Sequence, residues 1–193
     1  MSGSRGVRPL RDRDRTRAQI LEAAERMIAV QGLAVSVAGI AQRAGVSKSG
    51  LLHHFPSREA LLLAVAERGL QELIDEVERH LDPADTTPGR RTRAYVRTLC
   101  GDSPRAAALF SPTALLNALL TVPGAQALVR QDAEYWRRFF GEDGLPAARY
   151  LVVRHAAEGL AAASTVSPYL TPDELAVARG ALLDLVTAVP GGI

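Results

Sequence analysis

Apolar residues recur at steps of three and four along almost the whole chain, and no stretch alternates in the two-residue rhythm of a strand. The pattern therefore predicts an all-α protein of nine or ten helices. The first clear stripe is Ile20, Ala23, Ala24, Met27 and Ile28, on a helix that starts near residue 17 and closes at Gly32. Ser36 can cap a second helix whose apolar side is Val37, Ile40 and Ala41. Ala44-Gly45-Val46 interrupts it: Gly45 tolerates the positive φ of a sharp turn, and Val46 can plug the angle between two helices. Ser47 caps a third helix over residues 48–54, which puts Leu51 and Phe55 inward and Lys48, Ser49, Gly50, His53 and His54 outward. Pro56 stops it, because the ring cannot continue the hydrogen-bond ladder. Ser57 then caps a long helix to about residue 80, with Glu59 in the first turn where the helix dipole favours it and Leu61, Leu62, Val65, Leu70, Leu73, Ile74 and Val77 as apolar faces.

Beyond residue 80, Pro and Gly clusters punctuate the helical pattern. Asp82-Pro83 and Thr87-Pro88-Gly89 mark a loop before a helix over residues 91–99, and Ser103-Pro104 and Ser111-Pro112 are two further starts with Pro just inside the cap. Pro123-Gly124 separates segment 113–121 from 125–140. Helices are predicted over 146–165 and 172–189, the latter announced by Thr171-Pro172-Asp173-Glu174. The faces of these last two are small and apolar: Ala147, Ala148, Leu151, Val152, Ala156, Leu160 and Ala163 on one, Leu175, Ala178, Leu182, Leu185 and Val186 on the other. Such faces either close the chain's own core or meet a second copy.

Charge is distributed unevenly. Residues 1–60 hold ten Lys or Arg against five Asp or Glu, whereas residues 61–193 hold thirteen against sixteen, so the overall +2 hides a basic N-terminal part. Lys48 is the only lysine. A clustered basic region is what displaces counterions from nucleic-acid phosphates. Residues 1–15, with Arg5, Arg8, Arg11, Arg13 and Arg15, lack apolar periodicity and read as a mobile basic arm. Such an arm either reaches a DNA backbone or minor groove or is simply solvated. No run of about 18 apolar residues could span a membrane, the N-terminus lacks a signal peptide's apolar centre, and Cys100 is the sole cysteine, so a cytoplasmic protein is expected.

The two helices over residues 36–55 bring this basic character to a point. A short second helix that starts with small polar residues beside a lysine suits the major groove, where the N-terminal end of a recognition helix meets base edges; a plain surface helical hairpin is the alternative. The surrounding residues resemble the TetR family of transcriptional regulators. The resemblance is carried by Ile20, Ala23, Ala24 and Gly32, by Ser36, Ile40 and Ala41, by the run Ala44-Gly45-Val46-Ser47-Lys48, and by His54-Phe55 followed by Ser57, Glu59, Leu61 and Leu62. It implies a helix-turn-helix DNA-binding domain over 16–60 and a helical ligand-binding and dimerisation domain over 61–193. By the same resemblance, Lys48 and His54 fall at phosphate-contacting positions. His53 falls where an aromatic stacks on or hydrogen-bonds the DNA. Ser36 could also reach a phosphate, and Ser47, Ser49 and Gly50 start the reading helix. This chain departs from the family pattern within that helix: Ser49-Gly50 replaces a Gly followed by a small residue, and Leu52 replaces an aromatic that normally touches phosphate.

The same resemblance implies a homodimer built on the last two helices, a double-stranded, palindromic DNA operator and a small-molecule effector held by the C-terminal domain. Tyr95, Leu99, Asn117, Trp136, Phe139, His155 and Glu158 are the candidate lining residues, although aromatics at helical spacing are also ordinary core residues. No cofactor or metal is expected. Adjacent His53 and His54 point about 100° apart and cannot share a metal as i, i+4 histidines do, and Cys100 has no sequence-evident base. An enzyme is thus disfavoured, and a helical adaptor without DNA binding is the remaining alternative.

Overall fold

The structure is a computed structural model that describes residues 8–101, 115, 119–164 and 169–187. Among the described residues it is all-helical. The chain divides into two compact units, Met1–Ala66 and Glu67–Ile193.

In the first unit, α1 spans Arg8–Gln31, a short 3-10 turn spans Gly32–Ala34, α2 spans Val37–Ala44 and α3 spans Lys48–His54. The fourth helix, α4 (Arg58–Arg79), begins in this unit and passes the division at residues 66 and 67. Caps fall where the sequence places them. Ser36 Oγ accepts the Gly39 N–H at 3.0 Å, Ser47 Oγ accepts that of Gly50 at 2.9 Å, and Ser57 Oγ accepts that of Ala60 at 3.0 Å. Gly45 closes α2 at φ 69°, and the following Val46 N–H donates back to the Ala41 carbonyl at 3.0 Å, so the turn satisfies the end of α2 while reversing the chain. Ile20, Ala24, Ile40, Leu51, Phe55 and Leu61 are buried together with Val35 as this unit's core. Met27, Ile28, Val37 and Val46 are only half-buried. The Arg58 guanidinium locks the connection between α1 and α2 by donating to the carbonyls of Val35 (3.2 Å) and Leu33.

Residues 8–15, which the sequence reads as part of a mobile basic arm, are helical. Arginine is a good helix former, and Asp12 helps hold the turn through an ion pair with Arg15 at 3.1 Å and its carbonyl's bond from the Thr16 hydroxyl at 2.9 Å. Apolar periodicity misses such a segment because a solvated helix has no face to bury.

In the second unit, α5 (Arg90–Leu99) is the central element and packs against α6 (Ala125–Gly141), α7 (Ala147–Ser164) and α8 (Pro172–Thr187). Tyr95, Leu99, Trp136, Phe140, Val153 and Leu182 are buried in one cluster with Leu73 and Val77 of α4. No side chain of Gly89 is available to cap α5; instead Asp143 arrives from the turn after α6. Its carboxylate accepts the N–H groups of Arg91 (2.8 Å) and Thr92 (2.9 Å) and the Thr92 hydroxyl (2.6 Å). Thr171 and Glu174 cap α8 reciprocally, the backbone N–H of each bonding the other's side chain. The predicted starts at Ser103 and Ser111 and most of segment 113–121 lie outside the described residues. No described helix is long and apolar enough to cross a membrane.

The faces of α7 and α8 divide differently from the sequence reading. Val153, Ala157 and Ala161 form the buried stripe of α7, while Ala147, Ala148, Leu151 and Val152 are exposed. On α8, Leu182 and Val186 are buried and Leu185 is exposed together with Val177. Each helix is apolar on both sides, so hydrophobicity alone cannot say which side turns inward.

Candidate nucleic-acid interface

The caps and the buried Leu51 fix the rotation of α3. Lys48, Ser49, Leu52 and His53 are exposed, and Gly50 and His54 are half-buried. Lys48 has no ion-pair partner among the described residues, so its ammonium is free to meet a phosphate. The oxygens of Ser36 and Ser47 accept the capping bonds, and the Ser36 hydroxyl keeps a proton to donate. Ser47 and Ser49 are also joined, Oγ to Oγ, at 3.1 Å. A Cβ on Gly50 would stand 3.1 Å from the Ser47 oxygen, so the absent side chain accommodates the cap as well as keeping the helix surface low.

His54 is held below its ordinary value, first by partial burial and then by the positive charges of Arg13, His53 and Arg17. It is therefore neutral near pH 7 and offers a hydrogen bond rather than a charge. Its ring and that of His53 meet edge to face, with centroids 5.8 Å apart. Arg17 also lies over the Phe55 ring, 4.8 Å from its centroid. The sequence names Arg13 only as part of the basic arm and gives no sign that it and Arg17 stand beside His54. Their i, i+4 spacing would have found them had α1 been extended back past residue 16.

The candidate ligand residues are only partly gathered. Tyr95 OH donates to Glu158 Oε1 at 2.9 Å, Arg154 Nε donates to the same oxygen at 2.8 Å, and His155 Nδ1 lies 3.0 Å from Oε2. Trp136 packs edge-on against Tyr95 at 4.9 Å and donates its indole N–H to Asp132 at 3.0 Å. Leu99 belongs to the same core cluster, and His155 is exposed. Phe139 borders an open cleft of about 340 Å³, together with Tyr135, Arg91 and Arg138. Asn117 lies outside the described residues. The buried polar groups thus already have partners, which a ligand would have to displace. Arg154 and Asp132 were missed in the sequence because charged residues on an amphipathic helix read as solvent-facing.

A family model described as "Bacterial regulatory proteins, tetR family" matches residues 20–65, and one described as "Tetracyclin repressor-like, C-terminal domain" matches residues 89–187. The HTH-type transcriptional regulator BetI of Burkholderia thailandensis is 35% identical over 92 residues, 47% of this chain and 45% of that protein. The HTH-type transcriptional activator FasR of Mycolicibacterium smegmatis is 42% identical over 86 residues, 44% of this chain and 38% of that protein. The matched stretch thus spans less than half the length of either curated relative. A transcriptional regulator from Rhodococcus shares the fold with a TM-score of 0.73 at 21% identity, covering 90% of this chain and 99% of that one.

Proposed function

The chain belongs to the TetR family of bacterial regulatory proteins, and we propose that it is a repressor released from a palindromic operator by a small molecule. The family consists of DNA-binding transcriptional regulators rather than enzymes. The observation that carries the reading is the outward face of α3, where Lys48, Ser49 and His53 stand exposed on a helix whose start and rotation are fixed by Ser47 and Leu51.

Roles follow from donor chemistry. Lys48 meets a phosphate, and the hydroxyls of Ser36 and Ser47 donate to others. Ser49 and His53 face base edges, Gly50 permits close approach, and neutral His54 donates a hydrogen bond. The reading head covers residues 16–60, and residues 61–193 hold the effector and the dimer contact. Two copies join through the exposed apolar side of α7 and α8, so that two reading heads meet two half-sites. An effector acts if it binds the released state more tightly than the DNA-bound one. Tyr95, Leu99, Asn117, Trp136, Phe139, His155 and Glu158 are proposed to line its site. A small, largely apolar molecule with a polar end suits aromatic walls beside the Glu158 carboxylate. A regulator of this kind works in the cytoplasm.

The test is selection of duplexes from a random pool without ligand, followed by a salt titration on the winner. An enriched palindrome whose affinity falls steeply with salt is the expected result. Failure to enrich any sequence would overturn the reading.

A further inference from the structure

We infer that Leu52 reads the methyl group of one thymine in each operator half-site. This assignment rests on the regulator reading above. Leu52 is 38% exposed on α3, although its side chain is purely apolar and its outward neighbours Lys48, Ser49 and His53 are polar. A single exposed leucine needs no explanation on an arbitrary surface, but this one stands on the face that carries the candidate contacts.

Helical geometry narrows its partner. At about 100° per residue, Leu52 lies only about 40° round the helix from Lys48 and one turn further along, so the two share an edge. Leu51, about 100° away, is buried and fixes that rotation. If Lys48 pairs with a phosphate, Leu52 lies along the margin of the groove beside that strand. The major-groove feature with apolar character is the thymine C5 methyl, which projects near the backbone of its own strand. Leucine has no hydrogen-bonding group with which to meet a phosphate or a base heteroatom. Covering the methyl is the contact that gains from its desolvation. The basic excess of residues 1–60 supplies the attraction that brings this edge to DNA.

Replacing thymine by uracil removes this methyl and changes no hydrogen-bonding group. Each thymine of the selected duplex is replaced singly, and affinity is measured for the full chain and for Leu52→Ala and Leu52→Met. In the unaltered chain, one thymine per half-site is expected to lose about threefold to tenfold on replacement. The same replacement should leave Leu52→Ala binding unchanged, while Leu52→Met, which keeps an apolar tip, should retain the discrimination. Indifference of every thymine in the unaltered chain would overturn the assignment while leaving an operator-binding regulator in place. So would undiminished sensitivity in Leu52→Ala. Absence of any enriched duplex would overturn the regulator reading and the thymine assignment with it.

Discussion

Gly45 and Gly89 both hold positive φ, at 69° and 88°, yet an alanine meets different surroundings at each. A Cβ on Gly45 meets nothing within 4 Å, so Gly45→Ala should cost only the left-handed strain, about 1 kcal/mol in the N-terminal unit. A Cβ on Gly89 would stand 2.5 Å from Val186 Cγ1, in the core of the second unit. Gly89→Ala should therefore cost about 2–4 kcal/mol, because the backbone strain is joined by a clash that a packed core relieves poorly. Urea unfolding of each variant distinguishes the two magnitudes, and equal losses would show that Val186 yields freely. The need for Gly45 was legible in sequence, since Ala-Gly-Val follows an amphipathic turn. The need for Gly89 was not, because Val186 is remote along the chain. For Lys48→Ala, affinity should fall on specific and random duplexes alike, with the slope of log affinity against log salt shallower by about 0.9. An unchanged slope would remove Lys48 from the phosphate contacts. Ser49 and His53 face outward beside it, so substituting either should instead change which duplex is preferred.

Local signals describe an element well when its supports are local. The caps of α2, α3 and α8 were legible because Ser36, Ser47 and Thr171 stand immediately before the helices they close. That of α5 was not, because Asp143 follows α6 and is brought back by the fold. Asp143 is 5% exposed and serves three donors, of which the two on Thr92 are buried, so Asp143→Ala leaves those two without a partner and should cost about 2–4 kcal/mol. Asp143→Asn, which keeps one acceptor oxygen, should cost less; an equal loss in denaturant unfolding would mean that charge rather than hydrogen bonding secures α5. The carboxylate of Glu158 joins α5 to α7 in a similar way. Burial pushes its pKa up, but the Arg154 guanidinium and the hydrogen bonds from Arg154, His155 and Tyr95 outweigh burial and hold it below its ordinary value. With the folded value under the unfolded one, its contribution is present above the unfolded carboxylate range and lost as pH falls through the folded value. The stability difference between the unaltered chain and Glu158→Gln should therefore shrink as pH falls from neutral to below the ordinary glutamate range. A difference independent of pH would show that Glu158 acts only through packing.

For the whole molecule, the exposed side of α7 and α8 is the decisive surface. Leu151 and Val152 are 42% and 62% exposed on one helix, Val177 and Leu185 76% and 49% on the other, a density of apolar surface that a monomer gains nothing by showing to water. Which side of these helices turned inward was hidden from the sequence, since both sides are apolar; that two helices carried a surplus of apolar surface was not. If that surplus joins two copies, Leu151→Arg with Leu185→Arg should give a folded monomer in sedimentation velocity, because neither side chain belongs to the buried core. Its affinity for a single half-site should barely change. Its affinity for the palindrome should fall by about 10² or more, since the second head no longer binds at the high effective concentration that linkage to the first provides. A variant that still sediments as a dimer would place the contact elsewhere, whereas a monomer that keeps full affinity for the palindrome would mean that the two heads bind independently and that an effector could not act by changing their spacing.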